Sequence, residues 1–551
     1  MPNKKQGGLN RRDFLTTTAA GATAAALVPG TAHAQEADRD WHHTADFVSI
    51  GAGVSGLAAA VSALEHGASV LMVDENIDIG GHGMVSGGIV HLGGGHSVQQ
   101  MHGIEDTNEM VYQDWIRPDH PLARYNDRDL VRAFADENYS TFEWLLENGV
   151  AFDTDNMLGP QMASTVPRQV RSRQWPNKDE LYTTVPSRAG SGIVRQLEKV
   201  ARENGAEILL EHRMTSIIRE APGASSTGGR VLGIAVEHNG HTANIRATKG
   251  VLIATGGHCN NIEFRRMFDA RLTEEYAVAG DPYSRKSADG EIAAMALGAS
   301  LWGTQAQSNE AERVLQKPEH IGCKYGYSSL RWPADSPIFD KIHASGLTGI
   351  DWANAIMVTQ DGVRFYDETV DDYDFLAACM EAKGSADKRN GGGPIWAIFD
   401  SQAVERQGWD PTPPNVDPNG YFYSADTIGE LAAKIENEHQ PQPMSASALE
   451  ETVARYNASA EAGVDEDFGK PMPLHKIETA PFYAAWSTPL IHDSYTGLRT
   501  NANSQVVDLQ GEVIEGLYAS GESQGGFNQH GLGRSLVFGR IAGRHAAGSA
   551  G

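Results

Sequence analysis

Residues 46–75 hold the strongest constraint on what this chain can fold into. Asp46-Phe-Val-Ser-Ile50 reads as a buried strand and runs directly into Gly51-Ala-Gly53-Val-Ser-Gly56. A helical run of Ala and Leu follows from Leu57 to His66, Gly67 stops it, and Ala68–Val73 is a second strand closing on Asp74-Glu75. In such a unit the first glycine permits a tight turn, the second lets the backbone approach a pyrophosphate, and the third lets helix pack on strand. The helix N-terminus offers N–H groups to the phosphates. An acid at the end of the second strand can accept hydrogen bonds from an adenosine ribose. Asp74, 18 residues past Gly56, fits that place, and Glu75 is the alternative. A glycine loop alone is weak evidence. Strand, glycines, helix, strand and acid in order within thirty residues read as a dinucleotide-binding βαβ unit.

The rest of the chain bounds that reading. Its 551 residues allow two or three domains with buried cores, and 40% hydrophobic with 21% charged residues is globular composition. A net charge of -26 repels phosphate backbones and anionic lipid, so neither nucleic acid nor a membrane surface is an expected partner. The three cysteines, Cys259, Cys323 and Cys379, form no C-x-x-C and no C-x-x-C-H. No metal site, dithiol chemistry or covalently attached haem is therefore expected.

Residues 1–34 read as an address. Lys4, Lys5 and Asn10-Arg11-Arg12-Asp13-Phe14-Leu15 precede a mild apolar run to Val28 and small residues at Ala32-His33-Ala34. That is a signal peptide whose paired arginines resemble a twin-arginine export signal. The apolar run is too short to span a bilayer and no other long one follows, so a soluble periplasmic protein without a membrane span is expected. Losing four cations and one anion takes the mature charge from -26 to -29.

Four further glycine-bearing segments beyond the βαβ unit indicate FAD rather than NAD. Gly80-Gly81-His82-Gly83-Met84-Val85-Ser86-Gly87-Gly88 is a second backbone-rich loop. Val251-Leu-Ile-Ala-Thr255-Gly256-Gly257 is a strand ending in a glycine turn. Gly516-Leu-Tyr-Ala-Ser-Gly521-Glu522 ends a further strand, and Gly531-Leu-Gly533-Arg534 opens a terminal helix. Such a helix N-terminus suits the pyrimidine edge of a flavin, where negative charge gathers on reduction.

Together these segments resemble the flavoprotein family of soluble fumarate reductases, succinate dehydrogenase flavoprotein subunits, 3-ketosteroid dehydrogenases and urocanate reductases. The resemblance spans most of 44–548 and is most specific in GLYASGE, the terminal FGRIAGR and Asp361-Gly-Val-Arg-Phe-Tyr-Asp-Glu368. The last is similar to the family's G-x-R-F-x-N-E strand, with Asp367 where Asn is usual. The resemblance implies an α/β fold, a doubly wound FAD-binding domain with an inserted α+β capping domain. It implies FAD contacts from Gly51, Gly53, Gly56, Asp74, Gly81, His82, Ser86, Gly87, Gly88, Gly257, Gly521, Glu522, Gly533 and Ser535, and from the backbone of Met214. His82 lies one residue from the histidine of covalently flavinylated relatives, and non-covalent FAD is expected here.

The expected organisation is a first flavin-binding part over 44–335, a cap over 336–490 and a second flavin-binding part over 491–548. Amphipathic helices are expected at Asp129–Asn148, Ser191–Asn204 and Asp289–Leu297. In the cap only one strand, Ala355–Thr359, and one acidic helix, Ala446–Ala462, stand out from Pro-rich loops.

For catalysis a substrate C–H must sit beside flavin N5 while a proton leaves the neighbouring carbon, or the reverse. The arginine that fumarate reductases carry a few residues beyond G-x-R-F-x-N-E is absent from 369–374. Their carboxylate-binding histidine falls near His492-Asp493-Ser494-Tyr495, and their Arg-Leu-Gly-Gly clamp is replaced by Gly531-Leu-Gly533-Arg534. Fumarate is therefore not the expected substrate. Tyr373 sits near the place of a ketosteroid dehydrogenase tyrosine, and is either an acid–base group or an aromatic of the cap core. Tyr495 and His530 each stand between structural and catalytic roles. Arg534, a cation at a helix N-terminus, opposes the dipole and wants an anion. The expected reaction is dehydrogenation of a C–C bond beside an activating group, or its reverse, on a small organic molecule of the cyclic ketone or enoate type. A fumarate- or urocanate-like reductase and a flavin electron carrier are the alternatives. With one G-x-G-x-x-G unit, electrons are expected to pass through a separate cytochrome or quinone-linked carrier rather than NAD(P)H.

Overall fold

The computed structural model describes residues 39–548 apart from 177–188, 221–228, most of 304–350, 370–392 and a few short gaps that include 492. The expected signal over 1–34, Tyr373, His492, Cys323 and Cys379 lie outside the described residues.

Strand β1 (His43–Ile50) leads through the glycine loop into α1 (Val54–Glu65), β2 (Val70–Val73) and the short helix α2 (Gly81–Val85). Helices α3 (Arg128–Glu147) and α4 (Ser191–Glu203) come next, then β3 (Glu207–Leu209), β4 (Arg213–Arg219), β5 (Val231–His238), β6 (His241–Ile253) and helix α5 (Asp289–Met295). The helices expected at 129–148, 191–204 and 289–297 thus form with ends shifted by one or two residues. Helix α1 starts three residues before the expected Leu57, so Gly56 lies in its first turn.

The main sheet has the order β11-β12-β6-β1-β2-β3, where β11 is Gln505–Val507 and β12 is Val513–Ala519. β1 pairs in parallel with β2 and β6, β6 with β12, and β2 with β3. β4 and β5 form an antiparallel annex along β6. A parallel sheet buries both faces, and the alternation of these strands does that. Phe47, Val70, Met72 and Leu252 pack on the side of α1 and the terminal helix, while Val48, Ile50, Leu71, Val73, Val251 and Ile253 pack on the other. Each such side chain contributes roughly 1.5–3 kcal/mol of transfer free energy. The terminal helix α8 (Leu532–Gly548) lies on α1 so closely that a Cβ at Gly539 or Gly543 would overlap the carbonyl oxygen of Ser55 or Ala59. The C-terminal helix is thereby tied to α1.

A second, antiparallel sheet forms the cap, in the order Ile356–Thr359 (β7), Ile395–Asp400 (β8), Phe482–Trp486 (β10) and Phe422–Ala425 (β9). Helices α6 (Ile428–Lys434) and α7 (Ala446–Ala462) cover one face over a core built on Trp396 and Trp486, whose rings meet edge-on at 5.2 Å. This corrects the expectation of a single strand. β8 is buried along its whole length, so it reads as an unbroken apolar run without the period-2 signal of a half-buried strand.

The 361–368 segment is also not a strand. Apart from one bridge from Arg364 to Val358 it is turn and loop, pinned by a buried ionic knot. Arg364 donates to both Glu368 oxygens at 2.9 Å and reaches Asp465 at 2.9 Å, and Lys470 pairs with Glu368 at 3.0 Å. Burial alone would raise Glu368, but Lys470 and Arg364 outweigh it and hold the carboxyl at about 2. Met357, Phe365 and Ile395 of the cap pack with Cys259, Leu272, Tyr276 and Ile491 of the flavin-binding part, which seats the cap beside the 257–259 turn.

Candidate functional site

At the C-terminal end of the parallel strands the separate glycine segments come together. A Cβ on Gly51 would overlap the Ala254 carbonyl and one on Gly56 would overlap the Gly51 carbonyl. These two glycines are fixed by packing of the chain on itself. Gly53 differs: a Cβ there would meet only Gly80 O, at 3.9 Å, and at Gly81 and Gly87 nothing lies within 4 Å. Gly53 caps α1 with no side-chain hydrogen bond, which leaves the helix N-terminus open to an anion. The backbone at Gly53, Gly81 and Gly87 is therefore turned toward an open crevice.

At one end of this crevice Asp74 accepts from Ala52 N at 2.8 Å and Asn76 N at 3.0 Å. Burial pushes its carboxyl up to about 6 against the pull of those two N–H groups. Glu75, the alternative acid, is turned to Arg285 at 3.3 Å and Arg213 at 3.7 Å. The neighbouring strand brings Met214 to this end, since His212 N donates to Asp74 O at 2.8 Å and Arg213 reaches Asp289 at 2.8 Å.

At the other end the Gly81–Gly88 loop, the Gly257 turn, the Gly521–Ser523 turn and the start of α8 converge. A Cβ at Gly521 would press on Ser55 Oγ at 2.7 Å, with Ser535 Oγ next at 3.5 Å. One at Gly257 would press on Ser494 Oγ at 2.6 Å and Glu522 Cβ at 3.2 Å. Ser86 is tied locally, its hydroxyl donating to Gly83 O at 2.9 Å and accepting from Gly88 N at 3.3 Å. Gly533 is packed on the His91 carbonyl, which brings the first turn of α8 up to the strand just beyond the second glycine loop.

Among the described residues, Glu522, Lys286, His82 and Asp493 gather at this end. Glu522 takes a hydrogen bond from Lys286 Nζ at 3.0 Å and from Ser494 N at 3.2 Å, and His82 Nδ1 lies 3.7 Å from its other oxygen. Burial opposes charge on both partners, but Lys286 outweighs it and lowers Glu522, while Glu522 raises Lys286. Burial first, then Lys286, holds His82 below its usual value, so its imidazole is neutral at pH 7. His82, Asp493 and Glu522 place their ligand atoms within 4.8 Å of one another, a spacing that would suit a metal. In the same cluster the Lys286 ammonium is bonded to Glu522.

Of the expected catalytic residues, Tyr495, His530 and Arg534 come together around the 493–495 stretch. Tyr373 is outside the described residues. Tyr495 is buried, its ring 5.7 Å from the Arg534 guanidinium. Arg534 is itself buried and donates inward, to Phe527 O at 2.6 Å and Ser494 O at 3.1 Å. His530 hydrogen-bonds through Nδ1 to Asp493 Oδ2. Sequence reasoning missed Lys286, whose only signal is a lysine between two glycine turns. It named the 492–495 stretch for its histidine, whereas Asp493 is the residue that reaches His530.

A family model described as FAD binding domain matches residues 46–534. A probable fumarate reductase of Shewanella frigidimarina is 27% identical over 518 residues, covering 92% of this chain and 75% of that protein. A urocanate reductase of Eggerthella lenta is 27% identical over 520 residues, covering 91% of this chain and 74% of that protein. Among solved structures, the open conformation of a flavocytochrome c3 fumarate reductase is 25% identical with a TM-score of 0.65, covering 99% of this chain and 82% of that one. With the glycine crevice matched from end to end, the chain belongs to the FAD binding domain family and its cofactor is FAD.

Proposed function

We propose that this flavoprotein is an exported oxidoreductase acting on CH–CH groups, and that its substrate is a small molecule of the cyclic ketone or enoate type rather than a dicarboxylate. FAD is held non-covalently through Gly51, Gly53, Gly56, Asp74, the Gly81–Gly88 loop, the Met214 backbone, Gly257, Gly521, Glu522, Gly533 and Ser535. Bound there, the flavin supplies a hydride acceptor or donor. The cap keeps water from the reacting carbons, and side chains of the chain take or give the proton at the carbon next to the activating carbonyl.

The observation that carries the choice of substrate is the orientation of Arg534. Each of its terminal nitrogens donates one N–H inward, to the Phe527 and Ser494 carbonyls, and the guanidinium is buried, which disfavours a bidentate grip on a substrate carboxylate. Asp493 and Glu522 stand at the same end, and a second anionic group on the substrate would be repelled by them. The names of the two relatives favour a second reading, a fumarate- or urocanate-like reductase, and the same assay separates the two. A one-electron dye should couple to oxidation of a cyclic ketone to its enone, with succinate inert and fumarate unable to reoxidise reduced enzyme. NADH and NADPH should not bleach the flavin, because electrons pass through a separate cytochrome or quinone-linked carrier. Turnover of the dicarboxylates with no response to ketones would make the second reading the correct one.

Export rests on the Arg11-Arg12 signal. Replacing both by Lys should leave FAD-loaded precursor in the cytoplasm. Normal arrival of the double variant in the periplasm would point to the general secretory route.

A further inference from the structure

We propose that Asp493 and His530 form a carboxylate–imidazole dyad in which His530 exchanges the substrate proton and Asp493 positions it. The proposal rests on the CH–CH chemistry proposed above. His530 immediately precedes Gly531, the residue before α8, and Asp493 precedes Ser494, whose N–H donates to Glu522 at 3.2 Å. Both therefore stand at the end of the site where Glu522 and the start of α8 meet.

Burial divides the roles. The Asp493 side chain is 4% exposed and the His530 side chain 29%, so the imidazole can meet a substrate and the carboxylate cannot. Asp493 is fixed from behind, its backbone oxygen accepting from Cys259 Sγ at 2.9 Å. With its carboxylate accepting from Nδ1–H, the imidazole has its basic lone pair on Nε2. Lys286, Glu522 and His82 surround the carboxylate, and Arg534 reaches the next residue through Ser494 O. A carboxylate that orients a histidine and stabilises its charged form is the arrangement that makes imidazole an effective general base.

In the dehydrogenating direction the C–H bond α to the carbonyl breaks, its proton forms an N–H bond at His530 Nε2, and its electron pair becomes the new C=C. Bound FAD would supply the oxidant, taking the hydride that leaves the β carbon. The imidazolium then returns its proton to water. In the reducing direction the same nitrogen delivers the proton.

His530→Gln should retain FAD and lose about a hundredfold in kcat on whichever substrate the wild type turns over, with loss of the limb of the pH–rate profile that reports the imidazole. Asp493→Asn should lose on the order of tenfold or more while keeping FAD, because the tautomer is no longer enforced. A measurement without substrate separates failure of the dyad from failure of the substrate assignment. With 15N-labelled histidine, the wild type should show a downfield Nδ1–H proton resonance that both variants lack. If that resonance is absent from the wild type, the dyad is wrong whatever the enzyme oxidises. If it is present but His530→Gln keeps its rate while Tyr373→Phe loses about a hundredfold, the proton passes through Tyr373 and the proposal is overturned.

Discussion

Lys286→Met is expected to destabilise the FAD-free protein by about 3–5 kcal/mol, because it leaves the Glu522 carboxylate buried without its cation. Lys286 has no exposed side-chain surface and Glu522 only 15%, so solvent cannot replace the lost partner. The deficit should depend on pH. In the wild type Glu522 is held below its ordinary 4.5, so the pair stabilises the fold above 4.5 and that contribution fades as pH falls through the lower, folded value. In the variant, burial and then Asp493 raise Glu522 against only the weaker pull of His82, so stability falls as pH climbs past 4.5. Urea unfolding should therefore show a small gap between variant and wild type at pH 4 and a wide one at pH 8. Adding Glu522→Gln to the variant should recover much of the loss, since no ion is then left unpaired. A pH-independent gap would mean that Lys286 contributes packing rather than charge.

Gly56→Val should abolish flavin binding, lowering the FAD content of purified protein by roughly tenfold or more. The new side chain would start where the Gly51 carbonyl already stands, against Ser49 Oγ at 2.9 Å, so the loop that turns Gly53 outward must move. The loss is local, because β1 and β2 keep their parallel pairing from Phe47 to Ile50. Absorbance near 450 nm against protein concentration reads the effect. Gly67→Val is the matched comparison. Gly67 lies at positive φ, +79°, with nothing within 4 Å of a Cβ, and is at the far end of α1, so its substitution should cost stability without costing FAD.

The parts of this molecule legible in the sequence were those in which a local signal and a ligand requirement coincide. The run from Asp46 to Asp74 names its own fold because each glycine has a separate steric task and the acid is set by strand length. The 516–522 and 531–540 segments could be assigned to the same site from their similarity to a family, although nothing local says that a terminal helix lies on α1. The cap was poorly legible. β8 and β10 are short strands buried almost throughout, and burial on both faces erases the alternation by which a strand is recognised. The DGVRFYDE segment matched a family strand by its residues, yet its charges are spent on the Arg364–Glu368–Lys470 knot. Lys286 and the Asp493–His530 pair were hidden for another reason. Their partners are 236 and 37 residues away, and no spacing rule connects a lysine in a loop to a glutamate at the end of a distant strand.

A single turnover without any carrier tests directly whether the enzyme oxidises a cyclic ketone rather than a dicarboxylate. Oxidised enzyme is mixed anaerobically with a saturated cyclic ketone, flavin absorbance is followed, and the organic product is identified. The flavin should bleach and one enone should form per flavin reduced, with succinate leaving the spectrum unchanged. Bleaching by succinate with no response to the ketone would contradict that assignment.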